Sequence, residues 1–229
     1  MKPLHDILPP GLPFGDLMDA LSGVQGVYER AALEMGSFRD SSGVACPDGC
    51  GSCCETFVPD VLPLEAAYLA AYLARESPER ARELALEGFS DAERSAPHCP
   101  FYRFDDAAHC SVYEGRPLIC RLFGFSGVRS KDGSPSFALC RRMPTLPGSA
   151  ARAWKGEEVA RELGALPPLM SDLAAELQAV RPNGSPERRL LTDALPEALR
   201  KVLFLAGFGA SDPGDEPEPE PLAPMPKAG

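Results

Sequence analysis

No window of about 18 consecutive apolar residues exists in the 229-residue chain, which excludes a membrane-spanning helix. The opening stretch, MKPLHDILPPGLPFGD, has one lysine, and Asp6, Pro9, Pro10 and Pro13 interrupt its apolar run, so it does not read as a signal peptide. The expectation is a cytoplasmic protein of bacterial type. Positive charge is short: 23 Lys+Arg face 33 Asp+Glu, a net charge of −10, which argues against nucleic acid as a partner. Only three histidines are present, His5, His98 and His109, leaving little material for histidine acid–base chemistry. There is no Ser-His-Asp set, GxSxG, P-loop or GxGxxG beside a strand. Cysteine is missing from 134 of the 229 residues.

All eight cysteines fall within the 95 residues from Cys46 to Cys140. In a reducing compartment, such a cluster points to metal rather than to disulfides. The first four form a tight group, Cys46-x3-Cys50-x2-Cys53-Cys54, in which a C-x2-C turn lets two sulfurs converge and Gly49 and Gly51 allow a tight backbone. Cys53 and Cys54, as neighbours, are expected to project in different directions and to serve two ions or two corners of one cluster. The second four, Cys99, Cys110, Cys120 and Cys140, are widely spaced and can meet only through the fold. The eight divide into two four-ligand sites, or one four-ligand cluster with additional thiols. Cys46-x3-Cys50-x2-Cys53 is also the spacing of radical S-adenosylmethionine enzymes. That reading is rejected, because Ser52 stands where those enzymes carry an aromatic residue and no series of β/α units follows.

The charge is uneven. Residues 211–229 carry five acids, one lysine and six prolines, and are expected to be a disordered tail. Residues 95–145 carry seven Lys/Arg against four acids, a local excess of +3 around the cysteines. Four thiolates around Zn²⁺ or a [4Fe–4S]²⁺ core leave a charge of about −2, which nearby guanidinium groups offset. Arg116 and Arg121, flanking Cys120, are the candidates to donate to a thiolate or to Glu114. Phe101, Tyr102, Tyr113, Leu118, Leu122 and Phe123 are expected to form an apolar wall. His98 and His109, each preceding a cysteine, are read as neighbours of the site rather than ligands. Asp60 and Glu65 could pair, but a position near a helix start accounts for Glu65.

The remaining pattern is helical. Leu17, Leu21, Val24, Tyr28, Ala31 and Met35 mark one face of a helix over 14–36. Pro63 opens a second helix, and Ser77-Pro78-Glu79 starts a third that ends near Gly88. Helical patterns also cover 157–181 and 186–206, the last opened by Ser185-Pro186-Glu187, broken or kinked at Pro196 and ended by Gly207. Only 100–104 and 109–113, around a turn at 105–108, read as a β-hairpin. The expected fold is mainly α: a helical shell around an irregular cysteine-rich metal-binding centre with a short β-hairpin. A single domain spans 1–210, with its cysteine core at 46–142.

CGSCC at Cys50–Cys54, CPFY at Cys99–Tyr102, CSVYEGRPLICRLF at Cys110–Phe123 and the closing Cys140 together resemble the YkgJ-type cysteine-cluster family of zinc- or iron-chelating domains. The resemblance covers about 46–142. Gly124 departs from it, standing where the family favours proline, which affects local geometry and leaves the ligands intact. The resemblance implies metal ligation by Cys46, Cys50, Cys53, Cys54, Cys99, Cys110, Cys120 and Cys140, and does not imply a reaction. Soft thiolates select zinc, iron–sulfur or Cu(I). The single spacing of the later cysteines favours iron–sulfur over zinc, with roles in electron transfer or metal handling. The alternative is a metal-cluster-dependent enzyme related to the flagellin lysine methylases, which carry a similar cluster in a longer chain.

Overall fold

The computed structural model describes residues 3–13, 15–105 and 109–210. The chain opens with a single turn, α1 (Leu4–Ile7), and then the long α2 (Asp16–Ser42). Leu21, Val24, Tyr28 and Ala31 of α2 are buried, as their spacing predicts. The helix continues past Met35 because Phe38 supplies one more buried position, and it stops at Gly43. A short α3 (Ser52–Glu55) carries the cysteine pair, and the two-residue β1 (Asp60–Val61) leads into α4 (Pro63–Glu76). α5 (Pro78–Leu86) and α6 (Asp91–Ser95) follow. Ser90 and Glu93 cap α6 reciprocally, with Glu93 N–H donating to the Ser90 hydroxyl and Ser90 N–H to the Glu93 carboxylate.

The expected hairpin reduces to one antiparallel bridge, Tyr102 to Cys110, flanked by Ser111 N–H donating to Phe101 and Arg103 N–H to His109. Its turn falls partly on residues 106–108, outside the described residues. A 3₁₀ turn (Tyr113–Gly115) and α7 (Leu118–Leu122) come next. β structure then occurs where none was expected. β2 (Val128–Arg129), β3 (Pro135–Ala138) and β4 (Ala153–Lys155) form a three-stranded antiparallel sheet in the order β2-β3-β4. These strands are too short for alternation to register.

The helical pattern over 157–181 is two helices, α8 (Glu157–Leu163) and α9 (Met170–Ala179), separated by Gly164, Pro167 and Pro168. Ser185-Pro186-Glu187 does not start the last helix. Arg189 and Leu190 form β5, pairing antiparallel with β1, and α10 (Leu191–Ala210) begins after them. Pro196 does not break α10, and Gly207 does not end it. A proline at 196 leaves the carbonyl of Thr192 without its helical donor, and Arg94 Nη2 donates to that oxygen at 3.3 Å. The expected disordered tail lies outside the described residues.

The fold is mainly α. One core gathers α2, α4, α5, α9 and α10, with Leu21, Leu69, Leu84, Leu177, Leu195 and Leu199 fully excluded from water. Each such leucine contributes about 2 kcal/mol by burial. Inside it, Tyr28 and Tyr68 meet edge to face at 5.1 Å, and Tyr68 donates its hydroxyl to Gln25 at 2.8 Å. A second, smaller core packs Phe38, Phe137, Trp154, Val159 and Leu163 between the end of α2, the sheet and α8. Among the described residues, no helix is long and apolar enough to cross a membrane.

Candidate metal centre

The cysteines lie where the two cores adjoin. Cys99 and Cys110 pack against the first core, and Cys140 against the second. A cavity of about 330 Å³ opens between them. Cys46, Cys50, Cys53 and Cys54 line it from the first loop, and Cys99, Cys110 and Cys120 from the hairpin and α7. Cys140 does not line that cavity; it stands close enough to Cys46 to raise the energy of a Cys46 thiolate. The structure therefore brings seven of the eight thiols to one cavity and the eighth beside it. No cysteine among the described residues is in a disulfide.

Backbone contacts fix this convergence. Cys50 N–H donates to Pro47 and Cys54 N–H to Gly51, which closes two tight turns. Gly49 sits at φ 62°, a conformation that disfavours a side chain. Gly51 meets a different demand: a Cβ there would lie 2.5 Å from the His109 ring. Cys99 N–H donates to the Cys54 carbonyl at 3.1 Å, tying the hairpin to the first loop. The two ring nitrogens of His109 lie 2.8 Å from the carbonyl oxygens of Arg103 and Gly49. The imidazole thus bridges the same two segments and commits both nitrogens to oxygen. His98 packs against Tyr102 and Phe104 and does not line the cavity.

Cys53 and Cys54 correct the expectation that they point apart. Their sulfurs are 3.9 Å apart and share a hydrogen bond. That is close to the spacing of two ligands on one tetrahedral zinc, about 3.8 Å for bonds of about 2.3 Å. Their shared hydrogen bond pulls the Cys53 thiol down to about 6, while the same contact, with burial, pushes Cys54 up. Burial pushes Cys99 up to about 11, and Cys120 and Cys46 also rise, each first by burial and then through neighbouring thiols. Crowded thiols that oppose one another's ionisation are a site that a cation would relieve. Among the described residues, no three Cys, His, Asp or Glu side chains are gathered tightly enough to hold one ion as they stand. The thiols face a common space rather than a common point.

The arginines divide. Arg116 lines the cavity near Cys53 and Cys120, its guanidinium 3.6 Å from the centre of the Tyr113 ring. Its Nε is buried and has no hydrogen-bond partner. An orphaned buried donor beside a set of thiols fits a group that would carry negative charge there. Arg121 behaves differently. It donates to the backbone carbonyls of Arg116 and Glu114 and lies 4.1 Å over the Tyr28 ring, bracing the loop around α7. At Glu114 this arginine donates to the backbone carbonyl.

The apolar wall holds in part. Phe101, Tyr113 and Phe123 line the cavity, while Leu118 and Leu122 are buried in the first core and Tyr102 stands outside the lining. Phe57, Phe125, Met35 and Arg39 line it as well. Sequence reading did not find them, since Met35 and Arg39 come from the end of α2 and nothing local marks them. Asp60 and Glu65 do not pair. Glu65 is fully buried and accepts hydrogen bonds from Leu62 N–H, Leu118 N–H and Arg188.

Residues 45–141 match the model of a family described as CxxCxxCC, a putative zinc- or iron-chelating domain. The matched segment contains every cysteine of the chain. No curated protein and no solved structure matches this chain.

Proposed function

We propose that the segment 45–141, which matches the model of the zinc- or iron-chelating CxxCxxCC family, binds iron as an iron–sulfur cluster through its cysteines, serving electron transfer or metal handling in a reducing cytoplasm. The observation that carries this is the single cavity lined by seven thiols, with Cys140 beside it. Cys46, Cys50, Cys53 and Cys54 supply ligands from one loop, and Cys99, Cys110, Cys120 and Cys140 from the rest of the site. Seven of these thiols sharing one cavity is the arrangement a polynuclear cluster would use. When bound, such a cluster supplies one-electron chemistry. The chain's own residues bind it through thiolates, exclude water with Phe57, Phe101 and Phe123, and offset its charge through Arg116.

Anaerobic purification, metal analysis and an absorption spectrum test this reading. Iron, acid-labile sulfide and broad absorbance near ~400 nm are expected. A colourless protein holding about two zinc ions per chain would replace the cluster with zinc. The enzyme reading needs a substrate or cofactor pocket opening on the metal.

A further inference from the structure

A cavity of about 590 Å³ lies away from the thiols, between the start of α4, the end of α9, the loop at 181–186 and the middle of α10. Its floor is apolar: Leu62, Ala66, Leu177, Ala194 and Val202 all line it and are buried. The charged residues lining it are Arg181, Arg189 and Lys201 against a single acid, Glu197, a balance of +2 in a chain of net −10. Glu197 is committed to Arg189, which donates to it at 2.7 Å. Lys201 makes no ion pair among the described residues, and Arg181 has only a loose one, at 3.9 Å to a highly exposed Asp16. A greasy floor with two loosely engaged cations among its lining is what a ligand with a hydrocarbon body and an anionic head requires. The volume lies within the range of small-molecule sites, about 300–1,000 Å³.

We propose that this cavity binds an alkyl carboxylate, its chain against Leu62, Leu177 and Val202 and its carboxylate between Arg181 and Lys201. The proposal is independent of the metal reading, since the two cavities share no lining residue.

The test titrates the full chain with sodium decanoate by calorimetry, with decanol as the uncharged comparison. One saturable site is expected for decanoate, with decanol bound about tenfold more weakly or worse. Combining Lys201→Glu with Arg181→Glu should weaken decanoate binding about tenfold or more, while leaving metal content and the circular dichroism spectrum unchanged. Both side chains are substantially exposed, so neither change removes core packing. Absence of saturable decanoate binding overturns the proposal. So does equal affinity for decanol, or a doubly reversed variant that binds decanoate as tightly as the original.

Discussion

The buried carboxylate of Glu65 accepts the backbone N–H of Leu118 at 2.9 Å, joining the first turn of α4 to the first turn of the helix that carries Cys120. Its other oxygen accepts from Leu62 N–H at 2.9 Å and from Arg188 at 3.2 Å. One side chain therefore caps a helix of the first core, positions a cysteine-bearing turn and anchors the chain just before β5. Replacing Glu65 with alanine leaves two buried N–H groups unsatisfied and takes from Arg188 its ion pair, leaving that guanidinium only the Asp60 carbonyl. A loss of about 3–5 kcal/mol is expected. Denaturant unfolding reads it, and a loss below about 1 kcal/mol would show that water replaces the carboxylate at little cost.

Arg116 is expected to matter for holding the metal more than for holding the fold. Its Nε has no partner, so removing it breaks no hydrogen bond at that atom and gives up chiefly the stacking on Tyr113. Arg116→Ala should leave the metal-free protein's melting temperature nearly unchanged and speed loss of metal to a chelator by about tenfold. Arg116→Lys restores charge without the planar guanidinium and should recover part of the retention. Identical chelator kinetics in all three proteins would remove Arg116 from the site.

Thiol reactivity should be graded. With metal stripped and the protein reduced, Cys53, pulled down to about 6, is expected to be a thiolate at neutral pH, whereas Cys99, pushed up to about 11, is expected to stay a partly buried thiol. Raising the pH through neutrality changes the Cys53 thiolate population little and increases those of the raised thiols. Brief treatment with iodoacetamide at pH 7 should therefore modify Cys53 before Cys99 and Cys120. Peptide mass mapping checks the order; first modification at Cys99 or Cys120 would refute it.

Gly51 and His109 should be energetically coupled. A methyl group at 51 would lie 2.5 Å from the His109 ring, and that ring also bridges Gly49 to Arg103. Gly51→Ala should cost about 2 kcal/mol by overpacking. His109→Ala should cost about 1–2 kcal/mol through its lost hydrogen bonds. The double variant should be less destabilised than the sum, by at least about 0.5 kcal/mol, because the clash disappears with the ring. Strict additivity would mean that the loop simply shifts away.

The long elements were legible because their signals are local. Six apolar positions from Leu17 to Met35 define the face of α2, and the Pro63 and Pro78 starts coincide with the observed α4 and α5. The cysteines were legible as residues, and the cavity brings seven of them together. What escaped was non-local. β1 and β5 are two residues each and exist only because Asp60 meets Leu190 across the chain, which also explains why α10 starts later than Ser185 suggests. Pro196 reads as a breaker from sequence, but the price of its missing N–H is met by Arg94, a residue 98 positions from Thr192. The close approach of the Cys53 and Cys54 sulfurs depends on side-chain rotation that adjacency in sequence does not fix.

The placement of Cys140 on one core and of Cys99 and Cys110 on the other bears on how the molecule comes apart. A metal group that drew ligands from both would act as a rivet through two separately packed halves. Loaded protein should then melt in one calorimetric transition whose van't Hoff and calorimetric enthalpies agree. Stripped protein should let the smaller half, around Trp154 and Phe137, open on its own. Amide exchange would detect this as protection that collapses in β3, β4 and α8 before it does in α4 and α10.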